Sequence, residues 1–243
     1  MNAMWQWLTD GSHWSGQEGV PLRVLEHLQY SGVAVGIAAL LAVPLGLVVG
    51  HTGRGRFLAV NLTGALRAMP SLGLLFIAFM WLGEHFQGEA AFLYPTEIVL
   101  IVLAVPPILA GAYAGVEQVD AAARDAARGM GMTGRELLLK VEIPCALPLM
   151  ISGLRSAALQ VIATATLAAV LGLGGLGRFL IDGLAIRDYG QMAGGALLVA
   201  ALALLVDVLL ALSARVVVSP GLTGKTARQS RVRNRQEPVS VHE

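Results

Sequence analysis

Two glycine-rich stretches have the spacing of nucleotide-binding loops. The first, "GLGGLG" at residues 172–177, fits the G-x-G-x-x-G pattern that holds a pyrophosphate in dinucleotide sites. That pattern needs a strand before it and a helix after it, but here it follows a long apolar stretch that is typical of a helix. The second, "SPGLTGKT" at residues 219–226, has Ser219 in place of the first glycine of a Walker A loop, and too little chain follows for the acidic metal ligand. We therefore expect neither stretch to bind a nucleotide.

Side chains for hydrolysis or metal binding do not cluster in the sequence. Neither H-E-x-x-H nor G-x-S-x-G occurs. The single Cys145 provides no internal disulfide framework and no metal cluster. The histidines are scattered in loops, in the tail or at the edge of an apolar stretch, where we expect them to be solvated: His13, His27, His51, His85 and His242. The sequence thus predicts no catalytic residue, no metal site and no cofactor.

One polar segment is unusual in this chain, namely "DAARGMGMTGRELLLKVEIP" at residues 125–144. We expect one short helix over residues 118–128, because alanine favours helices. "GMGMTG" then makes a turn. Thr133 and Glu136 form a T-x-x-E capping box that opens a second, amphipathic helix, and we expect Pro144 to end it. A loop of amphipathic helices lying on a membrane is the simplest interpretation of this pattern.

The rest of the chain has the composition of a membrane protein. Hydrophobic residues make up 56% and charged residues 14%, against about 25% charged in soluble domains. A spanning helix needs about 20 apolar residues. We predict an all-α protein with about five spans, at residues 28–50, 59–82, 97–116, 146–171 and 191–213. Arg67 and Pro70 interrupt the second span, which is alternatively two shorter pieces.

The distribution of lysine and arginine predicts the orientation. Most of these bases follow the first span, lie in the central segment or lie in the C-terminal tail. That side should be cytoplasmic, which places the N-terminus outside and the C-terminus inside. We therefore divide the chain into an extracytoplasmic segment (1–27), a membrane domain (28–213) with a cytoplasmic loop (118–144), and a basic, disordered cytoplasmic tail (214–243). The net charge of +1 gives no argument for nucleic acid as a partner.

The central segment resembles the signature loop of the permeases of ATP-binding cassette (ABC) importers. Their pattern is roughly E-A-A-x3-G-x9-I-x-L-P. Here "DAA" at residues 125–127 is followed after three residues by Gly131 and after nine more by "VEIP" at residues 141–144. Asp125 replaces Glu, Val141 replaces Ile and Ile143 replaces Leu, and each replacement keeps the charge or the shape of the side chain. "RAMPSLGLL" (67–75) and "VLGLGGLGRFL" (170–180) resemble other parts of the same family, so the resemblance covers most of the chain.

The resemblance implies the fold and the partners. It implies the type I importer permease fold in the cell membrane of a prokaryote, with coupling helices that sit in a groove on a separate ATPase. The chain would then not be an enzyme itself. Its partners would be a second permease chain, identical or not, two ABC ATPases, an extracytoplasmic substrate-binding protein and membrane lipid. The residues that match the coupling motif are Asp125, Ala126, Ala127, Gly131, Val141, Ile143 and Pro144.

The substrate is less strongly indicated. "DAARGMGMTG" together with "LPLMISGLRSA" (147–157) resembles permeases for glycine betaine, choline and carnitine. Permeases for methionine and other amino acids share the architecture and remain the alternative. A membrane-embedded enzyme would need catalytic side chains at one depth, and the sequence supplies none. A passive channel would not need a docking loop.

Three charged residues lie within the predicted spans, and their depths from the cytoplasmic side are similar. Ionisable groups in spans usually face the protein interior and pair. We therefore predict that Asp207 pairs with Arg155 or Arg67 near the inner leaflet, the alternative being that each arginine reaches the lipid headgroups alone.

Aromatic faces attract quaternary ammonium groups. The candidates near spans are Tyr30, Phe76, Phe79, Trp81 and Tyr113, each more often a packing residue or an interfacial anchor.

Overall fold

The computed structural model describes residues 2–218, except the side chains of residues 62, 67 and 217, and in this part of the chain it contains helices and no strand. The α-helices are α1 (Asn2–Thr9), α2 (Val20–Thr52), α3 (Arg56–Ala68), α4 (Ser71–Leu82), α5 (Ala90–Glu117), α6 (Ala121–Gly129), α7 (Gly134–Leu137), α8 (Ile143–Ala165), α9 (Gly177–Ile186) and α10 (Tyr189–Val217). Short 3-10 turns occupy Gly11–Trp14, Gly83–His85 and Thr166–Leu171. A π-helical segment, Leu138–Glu142, joins α7 to α8.

Four helical runs of the described residues are long and apolar enough to cross a membrane. They are Val20–Thr52, Ala90–Glu117, Gly134–Leu171 and Tyr189–Val216. Four of the predicted spans are thereby confirmed, and each run is longer than the predicted stretch. α2, for example, begins at Val20 because Gly19 precedes the helix and Pro21 fits its first turn.

The second predicted span is broken. α3 and α4 meet at Met69 and Pro70 with a bend of 95°, so the pair counts as a fifth span only if both pieces together cross the bilayer. Proline explains the break, because its ring excludes the preceding residue from the helical conformation. The observed bend favours the alternative of two shorter pieces.

The central core consists of α2, α5 and α8. Ala34, Ala38 and Ala42 recur every four residues on α2, so they form one buried face of that helix. Larger side chains from α5 and α8, such as Leu100 and Val161, fill the space against these alanines. The small residues therefore set how closely the three helices approach.

Glycines bring α5 and α8 into close contact. A Cβ atom added at Gly153 would lie 2.6 Å from the carbonyl oxygen of Pro107, and one added at Gly111 would lie 2.9 Å from the Cα atom of Gly153. Neither distance is tolerable for real atoms, so the two backbones touch here only because both residues lack side chains. The small residues of "AGAYAG" (110–115) therefore allow close helix packing here.

A second core lies at the end of the bundle where α2 begins. The first helix packs against α10, and Trp7 is buried between Phe179 of α9 and Leu202 of α10. His13 stacks on the Trp7 ring at 4.6 Å between centroids. The N-terminal segment is therefore part of the folded bundle. The predicted tail is described only as far as residue 218, and its remainder lies outside the described residues.

Candidate functional site

The polar loop between α5 and α8 begins with α6. Asp120 caps this helix, since its side chain accepts a hydrogen bond from the backbone N–H of Ala122 at 3.0 Å. This cap starts the helix at Ala121, three residues later than predicted. Gly131 ends the helical region with a φ of 82°, a left-handed conformation that favours glycine. The backbone N–H of Met132 then donates to the carbonyl oxygen of Ala127 and closes the turn.

The second helix of the loop starts with the predicted capping box. The Thr133 hydroxyl accepts from the Glu136 backbone N–H at 3.4 Å, and the Glu136 carboxylate accepts from the Thr133 backbone N–H at 3.0 Å. The capping box is therefore confirmed.

The prediction that Pro144 ends this helix is wrong. The chain stays helical from Gly134 to Leu171. Proline has no N–H to donate and crowds the preceding turn, but the wider π-helical segment Leu138–Glu142 lies immediately before it and changes the hydrogen-bond register there. The loop and the following span thus form one continuous helical rod.

The residues that match the coupling motif divide into two groups. Asp125, Ala126 and Gly131 are exposed, the Asp125 side chain at 75%. The other four are buried or half-buried: Ala127 (2% exposed), Val141, Ile143 and Pro144. The first group is available to a partner, whereas the second holds the loop against the rest of the bundle.

Met130 was not singled out from the sequence. It is the C-cap residue of α6, directly before Gly131, and it is 71% exposed. Together with Asp125, Ala126 and Gly131 it forms what we call the loop tip. A large apolar side chain next to a left-handed glycine on a polar loop is the sequence signal that could have found it.

Behind the loop tip lies a buried carboxylate that the sequence analysis also missed. Glu142, 1% exposed, lies 2.5 Å from His51 Nδ1 on α2 and 3.1 Å from Arg124 Nε on α6. A guanidinium N–H of Arg124 donates in turn to the carbonyl oxygen of Val116 at the end of α5. We call Glu142, His51 and Arg124 the carboxylate cluster. It connects α6 to the ends of α2, α5 and α8.

The expectation that the histidines are solvated is wrong for His27 and His51. His27 is fully buried, and its Nε2 atom lies 2.9 Å from the carbonyl oxygen of Ile162. His51 is engaged by Glu142, which is distant in sequence. Both residues lie on α2, which begins earlier and is longer than predicted, so positions assigned to a loop or a span edge lie against other helices. His242 lies outside the described residues.

Of the three intramembrane charges, Arg155 and Asp207 lie in contact. Arg155 Nε donates to Asp207 Oδ1 at 2.9 Å and Arg155 Nη2 donates to Asp207 Oδ2 at 2.8 Å. This two-pronged geometry joins α8 to α10 and satisfies both charges. The side chain of Arg67 lies outside the described part of the structure.

The "GLGGLG" stretch has the surroundings of a structural turn. It follows a 3-10 turn, and Gly172 and Gly175 have φ values of 89° and 88°. The backbone N–H of Gly175 donates to the Glu26 carboxylate at 2.7 Å. A carboxylate of the chain therefore accepts from a backbone N–H of this glycine-rich turn.

The five candidate aromatic residues do not form one site. Phe76 and Trp81 are exposed on α4, and Phe79 stacks on Phe92 at 5.1 Å. Tyr113 lies beneath the Arg56 guanidinium at 5.9 Å, on the same side of the bundle as the loop tip. Tyr30 lines a cavity together with Gln29, Glu89, Tyr94 and Glu97.

Comparison with known proteins identifies this arrangement. Residues 42–223 match the family of binding-protein-dependent transport system inner membrane components. The chain belongs to this family. Its permeases work with an ATPase and a substrate-binding protein. The chain is therefore a multi-pass permease subunit of the plasma (inner) membrane, and ATP is hydrolysed on a separate subunit.

Relatives of this permease include osmoprotectant transporters. The glycine betaine/carnitine/choline transport system permease protein of Bacillus subtilis is 34% identical over 82% of this chain and 88% of its own. The osmoprotectant import permease protein of Salmonella typhimurium is 35% identical over 76% of this chain and 85% of its own. A chain of the inward-facing methionine ABC transporter superimposes with a TM-score of 0.69 at 20% identity, over 81% of this permease and 95% of that chain, which shows a shared fold.

Proposed function

We propose that this permease imports quaternary ammonium osmoprotectants of the glycine betaine, choline and carnitine type. The relatives named above support this substrate class, and they cover most of the chain. We further propose an assembly of two permease chains, two ATPases and one extracytoplasmic binding protein, because the family works with an ATPase and a substrate-binding protein. The loop tip is the contact to the ATPase.

The observation that carries the coupling proposal is the division of the loop into two faces. The loop tip points away from the bundle, whereas Ala127 and Glu142 are buried behind it. A surface built only to lie on lipid would not need a buried ionic connection to the ends of three spans. Small exposed residues such as Ala126 allow another protein to approach closely.

Ala126→Trp tests the contact. The indole should fill the space that the ATPase occupies, so we expect loss of co-purification with the ATPase and loss of substrate-stimulated ATP hydrolysis. Ala185→Trp is the matched control, because Ala185 is also exposed and helical but lies on α9 at the other end of the bundle. Normal assembly and hydrolysis in Ala126→Trp would contradict the coupling proposal.

The substrate class needs a separate measurement. Uptake of radiolabelled glycine betaine, choline, carnitine and methionine should be compared in proteoliposomes that contain the complete transporter. We expect ATP-dependent uptake of at least one quaternary ammonium compound and none of methionine. Uptake of methionine alone would instead establish an amino-acid importer.

A further inference from the structure

A cavity lined by five polar and three apolar residues opens at the end of the bundle opposite to the loop tip. It has a volume of about 470 Å³ and lies between α2 and the start of α5. Its polar lining consists of Gln29, Tyr30, Glu89, Tyr94 and Glu97. We call it the outer cavity. Binding sites for small molecules typically have about 300–1,000 Å³, so a small organic substrate fits.

The outer cavity lies at the edge of the hydrocarbon layer. Tyr30 lies about 20 residues before Gly50, near the loop-side end of α2, and Glu97 lies about 20 residues before Glu117, the end of α5; this is about the length that crosses a bilayer. The two side chains therefore occupy the same depth, where a solute from outside would first meet the membrane domain.

The carboxylates of the outer cavity have no basic partner. Neither Glu89 nor Glu97 forms an ion pair within the described residues. The Oε2 atom of Glu97 is shielded from solvent and has no hydrogen-bond partner there. By contrast, the nearby Glu26 is paired with Arg23 at 3.0 Å and with the Gly175 backbone. An unpaired buried carboxylate oxygen is unfavourable, and a cation in the cavity would offset that cost.

Two aromatic rings complete the lining. Tyr30 comes from α2 and Tyr94 from α5, and Phe86 packs on Tyr94 at 4.8 Å between centroids, which positions that ring. A quaternary ammonium group has no N–H to donate. It is therefore recognised by aromatic faces and by diffuse negative charge, the two features that this cavity combines.

We propose that the outer cavity binds the quaternary ammonium group of the substrate on its way through the membrane domain and favours net cations over zwitterions. A cation such as choline gains from Glu89 and Glu97, whereas the carboxylate of glycine betaine is repelled by them. This specificity rests on the proposed substrate class.

The test measures equilibrium binding of radiolabelled choline and glycine betaine to the complete permease–ATPase complex in nanodiscs, without the binding protein. Wild type should bind choline more tightly than glycine betaine. Glu97→Gln and Tyr30→Leu should each raise the Kd of choline about five- to tenfold, while Tyr30→Phe, which keeps the ring, should change it less than about twofold. Glu97→Gln should also reduce the difference in Kd between choline and glycine betaine. Glu84→Gln is the matched control, because Glu84 is an exposed carboxylate in the turn Gly83–His85, between α4 and α5, and does not line the cavity.

The proposal is overturned if wild type binds no choline, if Glu97→Gln and Tyr30→Leu both bind it as wild type does, or if Tyr30→Phe loses as much affinity as Tyr30→Leu. Thermal melting of each complex separates loss of the site from loss of the fold, and Tyr30→Phe provides a folded comparison. Uptake in proteoliposomes distinguishes failure of the outer-cavity proposal from failure of the proposed substrate class. Normal choline uptake with an unchanged Kd in the variants rejects the outer cavity alone, whereas uptake of methionine only rejects the substrate class.

Discussion

Glu142 shows how one side chain can connect a docking loop to a membrane bundle. Its two oxygens contact His51 on α2 and Arg124 on α6, and the backbone that carries it leads into α8. Because it is buried, these contacts are not exchanged for water. If the ATPase moves α6 as proposed, these contacts provide a direct connection from α6 to the spans.

Glu142→Gln tests the carboxylate cluster. The amide keeps the shape but removes the charge that opposes Arg124, so we expect a destabilisation of about 1–3 kcal/mol. We also expect more ATP hydrolysed per substrate transported, because α6 is held less firmly. Thermal melting and the ratio of hydrolysis to uptake measure the two effects. Glu136→Gln is the control, since Glu136 pairs with Lys140 on the exposed face of the same helical run. Equal behaviour of both variants would reject the role of Glu142.

A second prediction concerns the left-handed backbone conformation of Gly131. An alanine at φ 82° should cost about 1–2 kcal/mol. Gly129→Ala is the matched control, because Gly129 lies two residues earlier in α6 without a positive φ and a Cβ there would meet nothing within 4 Å. Thermal melting should therefore show a loss for Gly131→Ala and none for Gly129→Ala. A loss of the same size in both would contradict the backbone argument.

At the scale of helices, close packing of small residues defines the bundle. The alanines of α2 and the glycines of α5 and α8 bring three backbones together, and larger side chains fill the remaining space. Between helices in lipid, such packing replaces the hydrophobic driving force that water would supply.

Gly153→Ala should disturb this packing. The new methyl group would lie 2.6 Å from the Pro107 carbonyl oxygen, so α5 and α8 must separate, at a cost of about 1–3 kcal/mol. Gly32→Ala on α2 is the control, because a Cβ there would meet nothing within 4 Å. We expect a lower melting temperature for Gly153→Ala only. An unchanged melting temperature for that variant would show that the crossing is looser than the structure indicates.

The sequence predicts the helices well because their signals are local. Apolar length revealed four spans, and the Thr133–Glu136 spacing revealed a cap. The sequence did not reveal the contact of His51 with Glu142, because these residues are 91 positions apart in the chain. Pro144 was misread for a related reason, since proline usually ends a helix and a π-helical turn leaves little trace in composition.

At the scale of the whole molecule, the orientation in the membrane decides which end of the bundle faces the cytoplasm and which end faces the outside. The distribution of bases predicts a cytoplasmic loop tip and an extracytoplasmic outer cavity. The loop tip and the outer cavity lie at opposite ends of α5, so a cytoplasmic loop tip would place the outer cavity outside.

Cysteine labelling tests the orientation. In a Cys145→Ala background, Glu84→Cys should react with a membrane-impermeant thiol reagent in intact cells, whereas Arg54→Cys, in the turn after α2, should react only after permeabilisation. Both positions are exposed in the structure, so accessibility alone does not distinguish them. The reverse labelling pattern would invert the orientation and, with it, the assignment of the outer cavity.

The Gly111–Gly153 crossing lies almost midway along the run Gly134–Leu171. At 1.5 Å per residue this leaves an arm of about 28 Å on either side. α5 and α8 also approach closely at Gly115, where an added Cβ would lie 2.8 Å from the carbonyl oxygen of Ala146, so the two backbones are in contact over more than one turn of helix. A tilt of about 10° would raise one arm and lower the other by about 5 Å each. If the ATPase displaces the loop tip as proposed, a rigid tilt of this run would move the glycine-rich turn at its far end in the opposite direction.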